Sequence, residues 1–480
     1  MIDPLPWLIL LPLFWGTAAF LLGPGRGAAL ACTGTLAQLF LCGWLAVSLA
    51  GHERVYEIGG WTAPLGIELL VDGLSVIILC LVQIVALPVA MYAQAYFSVH
   101  EEGVKFFWPL LGYLLAGMNA LLLSADLFNL YVALELVSLS AVGLVASKGA
   151  PQNIAAALRY LLATLLGSGA YLLGVALFYG AYGTVSMSLI GAMVDANAPN
   201  AIKLAAGLMV AGLMLKTALF PFHFWLPPAH GGASAPVSAL LSALVIKVSF
   251  YLIVRLWTGI LMPIVPTMAA QLCGLLGALA ILWGSFQALR QTRLKMLIAY
   301  STVAQIGYLF LFFPLAVQSM PLDTQSAFQG VVLQALAHGL AKAAMFAAAG
   351  ALILSTDSDE IAQLGGVSSH LPMPLFTFGL AGVTLMGLPP TSGFLAKWLL
   401  IDGALSSGQW AWIVIIISGG LFTAAYVFKV LRHAFVQVGQ SKFFRPLPAM
   451  IEWPAFFLAV ASVGLGLGGN VILKILGNTT

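Results

Sequence analysis

Apolar stretches of about 20 residues, long enough to cross a hydrocarbon core as helices, follow one another from the first residues to the last. They fall near 5–23, 28–50, 66–94, 107–124, 126–147, 153–181, 202–224, 233–258, 267–290, 294–317, 327–355, 371–400, 407–436 and 450–475. This pattern predicts an all-α polytopic membrane protein of about fourteen transmembrane helices. The longest polar connections, near 51–65 and 436–449, are short, so residues 1–480 read as a single membrane domain without a soluble insertion. The opening MIDPLPWLILLPLFWG lacks a basic flank and a small-residue cleavage site, and reads as the first span rather than a removable signal.

Two stretches are interrupted. In one, Leu219-Phe-Pro-Phe-His-Phe-Trp-Leu-Pro-Pro-Ala-His-Gly-Gly runs into Ala233-Ser-Ala-Pro-Val-Ser-Ala. In the other, Gly387-Leu-Pro-Pro-Thr-Ser-Gly393 separates two apolar halves. Proline removes a backbone donor and glycine loosens the helix, so both segments are expected to unwind. Irregular backbone at membrane depth persists only where protein or water satisfies it. The paired breaks suggest two repeats, 107–258 with spans four to eight and 267–436 with spans nine to thirteen. Five spans per unit is odd, so adjacent copies would be inverted. Residues 1–106 then hold the first three spans and 450–475 the last. The plainer reading of each proline is a kink in a packing helix.

Composition agrees with the membrane class. The chain is 61% hydrophobic and 7% charged, against about 25% charged in ordinary soluble domains. Too little polar side chain is present to cover a water-facing surface. A net charge of +3 and the lack of a basic stripe argue against nucleic acid. Cys32, Cys42, Cys80 and Cys273 all lie in apolar stretches without CxxC spacing and read as small buried hydrophobes. No metal-ligand spacing, dinucleotide turn, P-loop or nucleophile elbow appears, so no catalytic, cofactor-binding or metal site is expected.

Charge then sets orientation. Arg26, Lys105, Lys148, Arg290, Arg293, Lys295, Lys429, Arg432, Lys442 and Arg445 fall in connections on one side, and Arg54, Lys203 and Lys474 on the other. The cation-rich side is expected to be cytoplasmic, which puts both termini outside. The remaining cations lie within spans: Arg159, Lys216, Lys247, Arg255, Lys342 and Lys397. Arg159 and Arg255 sit nearer span ends, where they could snorkel. A lysine at a helix centre costs about 2.5–3.5 kcal/mol on insertion scales, so the four lysines call for a functional reason.

One clearly central acid faces them, Glu135 in Leu130-Tyr-Val-Ala-Leu-Glu-Leu-Val-Ser. A lone buried carboxylate takes up a proton, and a nearby ammonium keeps it ionised, so Glu135 is expected to pair with one of the lysines. Asp126 starts the same helix and Asp72 opens the third span. His338 lies four residues before Lys342, on the same helix face. Histidine titrates near neutrality, so that face suits proton relay; a core histidine bonded to a carbonyl is the plainer reading. For His223 and His230, beside the first break, packing of the break stands level with relay.

Gly59-Gly-Trp-Thr-Ala-Pro-Leu-Gly-Ile, Asp126-Leu-Phe-Asn-Leu-Tyr-Val-Ala-Leu-Glu and Leu215-Lys-Thr-Ala-Leu-Phe-Pro-Phe-His-Phe-Trp-Leu-Pro resemble one family throughout. It is the antiporter-like membrane subunits of respiratory complex I, membrane-bound hydrogenases and Mrp-type Na+/H+ antiporters. Ala299-Tyr-Ser-Thr-Val-Ala-Gln-Ile-Gly-Tyr and Leu388-Pro-Pro-Thr-Ser-Gly-Phe-Leu-Ala-Lys fit the same pattern. The resemblance covers nearly the whole chain. It implies fourteen helices, two inverted five-helix repeats and discontinuous helices 7 and 12. The opening stretches look most like the Mrp D subunit and its hydrogenase counterpart. Pro228-Ala-His-Gly-Gly-Ala-Ser-Ala-Pro-Val-Ser looks more like the hydrogenase or complex I version. The chain ends soon after the last span, so the long lateral helix of the largest members is not expected.

By resemblance, the family's helix-five glutamate falls on Glu135, its helix-seven lysine on Lys216 and its helix-eight lysine on Lys247. The polar position on helix eleven falls on His338 and Lys342, and the helix-twelve charge on Lys397. Asp126, His223, His230 and Asp72 are accessory candidates. The function implied is proton translocation, with Na+ as a second candidate ion, in a bacterial or archaeal cell membrane. The partners implied are other membrane subunits of a hetero-oligomeric complex and the lipid bilayer. A complex I-like or hydrogenase pump is the alternative parent, in which this chain would carry no redox centre. Two further readings stand beside it: a scaffold or quinone-lining subunit that moves no ion, and a lone carrier of a small organic solute.

Overall fold

The computed structural model describes residues 3–49, 52–317, 321–436 and 444–477; Lys442 and the rest of 437–443 lie outside them. The chain is a helical membrane protein. Among the described residues, twelve helices are long and apolar enough to cross a membrane. In chain order the long elements are α1 (Pro4–Leu22), α2 (Pro24–Leu49), α3 (Gly73–Val99), α4 (Val104–Leu123), α5 (Leu127–Ala146) and α6 (Pro151–Tyr182). The seventh expected span is split into α7 (Asn200–Lys216) and the short α8 (Leu226–Gly232). Then come α9 (Ala235–Leu261), α10 (Thr267–Arg290), α11 (Leu294–Ala316) and α12 (Pro321–Thr356). The twelfth expected span is split into α13 (Pro372–Met386) and α14 (Ser392–Ser406). The chain continues with α15 (Trp410–Ala434), α16 (Ala449–Leu467) and α17 (Gly469–Gly477).

The third span starts later than the hydropathy pattern suggests. Residues 68–71 form strand β2, paired antiparallel with β1 (Arg54–Glu57) in the register Arg54↔Val71 to Glu57↔Glu68. Helix α3 begins only at Gly73 because Asp72 caps it: its carboxylate accepts from the Ser75 N–H at 2.9 Å, and the Ser75 hydroxyl accepts from the Asp72 N–H at 2.9 Å. Such a reciprocal cap satisfies two amides that a helix start leaves unbonded. Asp126 caps α5 from one side, its carboxylate accepting from the Asn129 N–H at 2.7 Å.

Both breaks open with a left-handed residue, Ala218 at φ +55° and Gly387 at φ +83°. Gly387 has a second reason to lack a side chain, since a Cβ there would meet Lys397 Cδ at 2.7 Å. At the first break, Trp225 Nε1 donates to the Leu215 carbonyl at 2.9 Å, an oxygen at the end of α7 that the Ala218 N–H also reaches at 3.2 Å. Tyr160 of α6 stacks on Trp225 with ring centroids 4.1 Å apart and holds it there.

Burial is uneven. The apolar window of α9 is wholly buried and those of α11 and α12 nearly so, whereas α1, α2, α15 and α16 bury a third or less of theirs. The polar-bearing helices therefore form the centre, and the outer helices turn Leu21, Phe40, Val47, Val414 and Leu421 outward, as a lipid or partner face requires. Glycine brings α6 and α7 together: a Cβ on Gly167 would lie 2.7 Å from the Gly212 carbonyl and 3.2 Å from Lys216 Cγ. All four cysteines are free, with Cys42 and Cys80 Sγ 3.3 Å apart between α2 and α3.

Candidate functional site

Lys216 is the last residue of α7 and is 3% exposed. Its Nζ lies 3.9 Å from Glu135 Oε1 on α5 and donates to Ser138 Oγ at 2.6 Å, one turn further along the same helix. The ammonium thus has one carboxylate and one hydroxyl. Its place at a helix C-terminus also favours positive charge, because the helix dipole ends there in free carbonyls.

The other lysines have neutral oxygens instead. Lys247 (1% exposed) donates back to the Ser242 carbonyl of its own helix, where α9 widens into a π turn over Leu241–Val245. Wide turns of this kind disturb the regular ladder and recur at functional sites. Ser242 Oγ and Thr302 Oγ1 of α11 are hydrogen bonded at 2.9 Å. On the preceding residue of α11, Ser301 Oγ accepts from Lys342 Nζ, which also donates to the Ile298 carbonyl at 3.1 Å. Serine and threonine hydroxyls therefore fill the interval between Lys247 and Lys342. His338, one turn before Lys342, is fully buried, and neither ring nitrogen has a hydrogen-bond partner among the described residues.

Lys397 on α14 bridges the second break. Its Nζ donates to the Leu385 and Met386 carbonyls at the end of α13, at 2.7 and 2.9 Å, and sits 4.6 Å from the centroid of the Tyr308 ring. It occupies carbonyls at the helix end, sharing the Leu385 oxygen with Gln305 Nε2 at 3.3 Å.

The accessory candidates divide. His230 is buried and stacks on Phe346 of α12 at 4.8 Å, with Nδ1 unpartnered. His223 is half-buried and stacks on Phe220 at 5.6 Å. Asp126 is the α5 cap. Asp72 does more than cap α3: it forms a two-pronged ion pair with Arg255 at the end of α9, Nη2 to Oδ1 at 2.7 Å, and Arg255 Nε also donates to Tyr251 OH at 3.1 Å. Arg255 therefore does not snorkel to lipid. Asp72 stands outside the spans; burial alone would raise its carboxyl, but the Arg255 guanidinium and the Ser75 hydrogen bonds outweigh it and hold it below the usual carboxylate value. Arg159 keeps an exposed position on α6.

Lys295, assigned from sequence to a connection, is in fact 7% exposed. Its Nζ donates to the Ala233 carbonyl just beyond α8, while its backbone N–H donates to Asp359 Oδ1 at 3.0 Å, the carboxylate that Arg293 Nε also reaches at 3.1 Å. Sequence reasoning passed over Ser138, Trp225, Ser242, Ser301 and Thr302 as well. Only the hydroxyl pairs in Ser301-Thr and in Ser238 with Ser242, inside otherwise apolar stretches, offered a signal.

Residues 124–423 match the family described as NADH:quinone oxidoreductase/Mrp antiporter, TM. The N subunit of the NADH-quinone oxidoreductase of Desulforudis audaxviator is 35% identical over 97% of this chain and 96% of its own. The D subunit of the Na+/H+ antiporter of Alkalihalophilus pseudofirmus is 28% identical over 89% of this chain and 86% of its own. Among solved structures, a chain of the Mrp complex from Dietzia sp. superposes with a TM-score of 0.88 at 24% identity, covering 99% of this chain and 96% of its own. A chain of Thermus thermophilus respiratory complex I gives 0.76 at 26% identity, covering 98% of each.

Proposed function

The chain belongs to the NADH:quinone oxidoreductase/Mrp antiporter membrane family, and on that premise we propose that it translocates protons as one subunit of an Mrp-type multisubunit cation/proton antiporter. The observation that carries this reading is the buried row of Lys216, Lys247, Lys342 and Lys397, in which, among the described residues, a carboxylate meets only Lys216. An ammonium held by carbonyls and hydroxyls can lose its proton and leave those oxygens acceptably placed, which a structural ion pair cannot do. Approach or withdrawal of Glu135 strengthens or weakens the hold of Lys216 on its proton. The proton passes toward Lys247, then to His338 and Lys342, and Lys397 controls exit. The discontinuous helices supply the polar backbone at depth, and two inverted repeats, 107–258 and 267–436, account for one break in each. Na+ is the candidate exchanged cation.

A complex I-like pump is the second reading, favoured by the 35% identity to an N subunit over nearly the whole chain. Purifying the native assembly and identifying its subunits decides: small hydrophobic subunits alone support the antiporter, while iron–sulfur proteins in stoichiometric amount overturn it in favour of a redox pump. Orientation follows from the connection charges, with both termini outside the cytoplasm of a bacterial or archaeal cell. Reporter tags at either end that respond from the cytoplasm would refute that placement.

A further inference from the structure

A cavity of about 420 Å³ opens on the flank of the molecule beside the second break. It is lined by the end of α13, the first half of α14 and the middle of α15, and its mouth lies among the exposed side chains of Trp398, Leu421 and Phe428. Lys397 alone among the lining residues carries a charge, and it is 6% exposed. Two glycines keep the way to it open: a Cβ on Gly387 would lie 3.3 Å from Lys397 Nζ, and one on Gly420 would lie 3.3 Å from the Met386 carbonyl that the ammonium holds. Two of the three ammonium hydrogens go to the Leu385 and Met386 carbonyls, which leaves one donor over. Among the described residues no carboxylate forms an ion pair with it.

An apolar cavity with one placed polar group selects a ligand of matching design, an apolar body with one complementary head. A cation without a counter-ion makes that head an anion. Depth narrows the choice further. At 1.5 Å per residue, α13 carries its last carbonyls about 21 Å from its start, and Lys397 lies about 14 Å from the end of α14. Both lengths put the ammonium well inside a hydrocarbon layer about 30 Å thick. A phospholipid headgroup stays at the interface, because its charge loses its hydration in hydrocarbon. A fatty acid differs, since its protonated head is neutral and follows its tail inward. The α15 part of the lining, from Ile416 to Phe428, extends about 18 Å along the helix, a strip suited to one extended chain. We propose that this cavity binds a single long-chain fatty acid, with its carboxylate on Lys397 and its tail along α15. Beside the lysine amine the carboxyl O–H bond breaks, an N–H bond forms on Nζ, and carboxylate and ammonium remain as a pair. That proton shift rests on the proposed reading in which Lys397 gives up and regains its proton.

The test uses the native assembled complex in nanodiscs of phosphatidylcholine. It is photolabelled with a palmitic acid that carries a diazirine in its tail, and labelled peptides are read by mass spectrometry. Label is expected on α14 and α15 of this chain. Palmitic acid is expected to displace it, whereas hexadecanol, the same tail with a neutral head, is expected not to. Ala424→Trp fills the cavity from α15, and Lys397→Met keeps the bulk but removes the partner of the head; each is expected to lower the label at least tenfold while subunit stoichiometry stays parental. Equal displacement by hexadecanol overturns the recognition of an acid. Displacement by phosphatidylglycerol overturns the choice of a fatty acid. Label that is absent from these helices, or undiminished in Ala424→Trp, overturns the site. If Ala424→Trp does not assemble, the comparison of palmitic acid with hexadecanol on the parental complex decides. Proton translocation by Lys397→Met reads the proposed path separately: parental transport there removes Lys397 from the path, while acid-selective label on the parental complex upholds the site.

Discussion

Replacing Glu135 with glutamine keeps the shape of the side chain and removes its charge from beside Lys216. The two charged groups are 3.9 Å apart, with side chains 17% and 2% exposed, so solvent screens the pair only weakly. At an effective dielectric constant of about 20, that separation corresponds to about 4 kcal/mol of attraction, or roughly a thousandfold in how firmly the lysine holds its proton. Ser138 remains as a hydroxyl partner at 2.6 Å and cannot replace the charge. Glu135→Gln should therefore lower proton translocation by at least tenfold. Glu135→Asp, which keeps the charge but moves it back by one methylene, should fall between. The assay is dye-reported proton movement in vesicles holding the assembled complex, with subunit stoichiometry checked alongside. Because the pair acts as a unit, Glu135→Gln combined with Lys216→Ala should be no worse than the poorer single variant. Parental transport in a fully assembled Glu135→Gln complex would refute the pairing as the source of proton control.

Lys247→Ala should assemble with unchanged or raised thermal stability, because a buried cation without a counter-ion is costly to desolvate, yet lose transport; parental pumping would remove Lys247 from the path. Asp72→Asn breaks the pair with Arg255 and leaves that guanidinium uncompensated, a loss of about 3–5 kcal/mol read as a lower unfolding temperature in detergent. Since the folded protein holds the Asp72 carboxyl low, its stabilisation is complete above the ordinary carboxylate value of about 3.9 and is lost as pH falls below it; the parental protein should soften in that acid window, and Asp72→Asn should lose that part of the pH dependence.

Spans and breaks were legible because hydropathy and proline act locally. A run of about 20 apolar residues has few alternatives to a membrane helix, and clustered proline and glycine break it, whereas the lone Pro12, Pro88, Pro109 and Pro454 stay inside continuous helices. The β-hairpin was hidden because Glu68-Leu-Leu-Val-Asp continues the apolar run of α3; only the Asp72–Ser75 cap, a four-residue signal, marks the true start. Lys295 was misplaced for a different reason. Its neighbours Arg290 and Arg293 make the segment look like an aqueous connection, whereas its burial comes from the Ala233 carbonyl 62 residues away, a contact no local pattern encodes. Arg255 likewise looked like a span-end cation, and its partner Asp72 lies 183 residues away. Glu135, Lys216, Lys247, Lys342 and Lys397 stood out because a charge inside an apolar run is visible without knowing what it touches, but the hydroxyls and carbonyls that hold them were not.

Those partners explain why lysines and helix ends coincide. Regular helix commits its carbonyls to its own ladder, and although Lys342 shares the Ile298 carbonyl inside α11, the other buried lysines take oxygens less engaged by a ladder. A helix end supplies them: Lys397 takes the last carbonyls of α13, Lys295 the carbonyl beyond α8, and Lys216 sits at the end of α7 itself. Within α9, which has no such end at mid-membrane, the π turn brings the Ser242 carbonyl to Lys247. A carboxylate at each of these places would fix every lysine in its charged form. Carbonyls and hydroxyls accept equally from an ammonium or an amine, so they let the charge come and go without leaving a bare anion behind. On the proposed path, Glu135, the one carboxylate that meets this row among the described residues, would act as a bias on whether Lys216 is occupied.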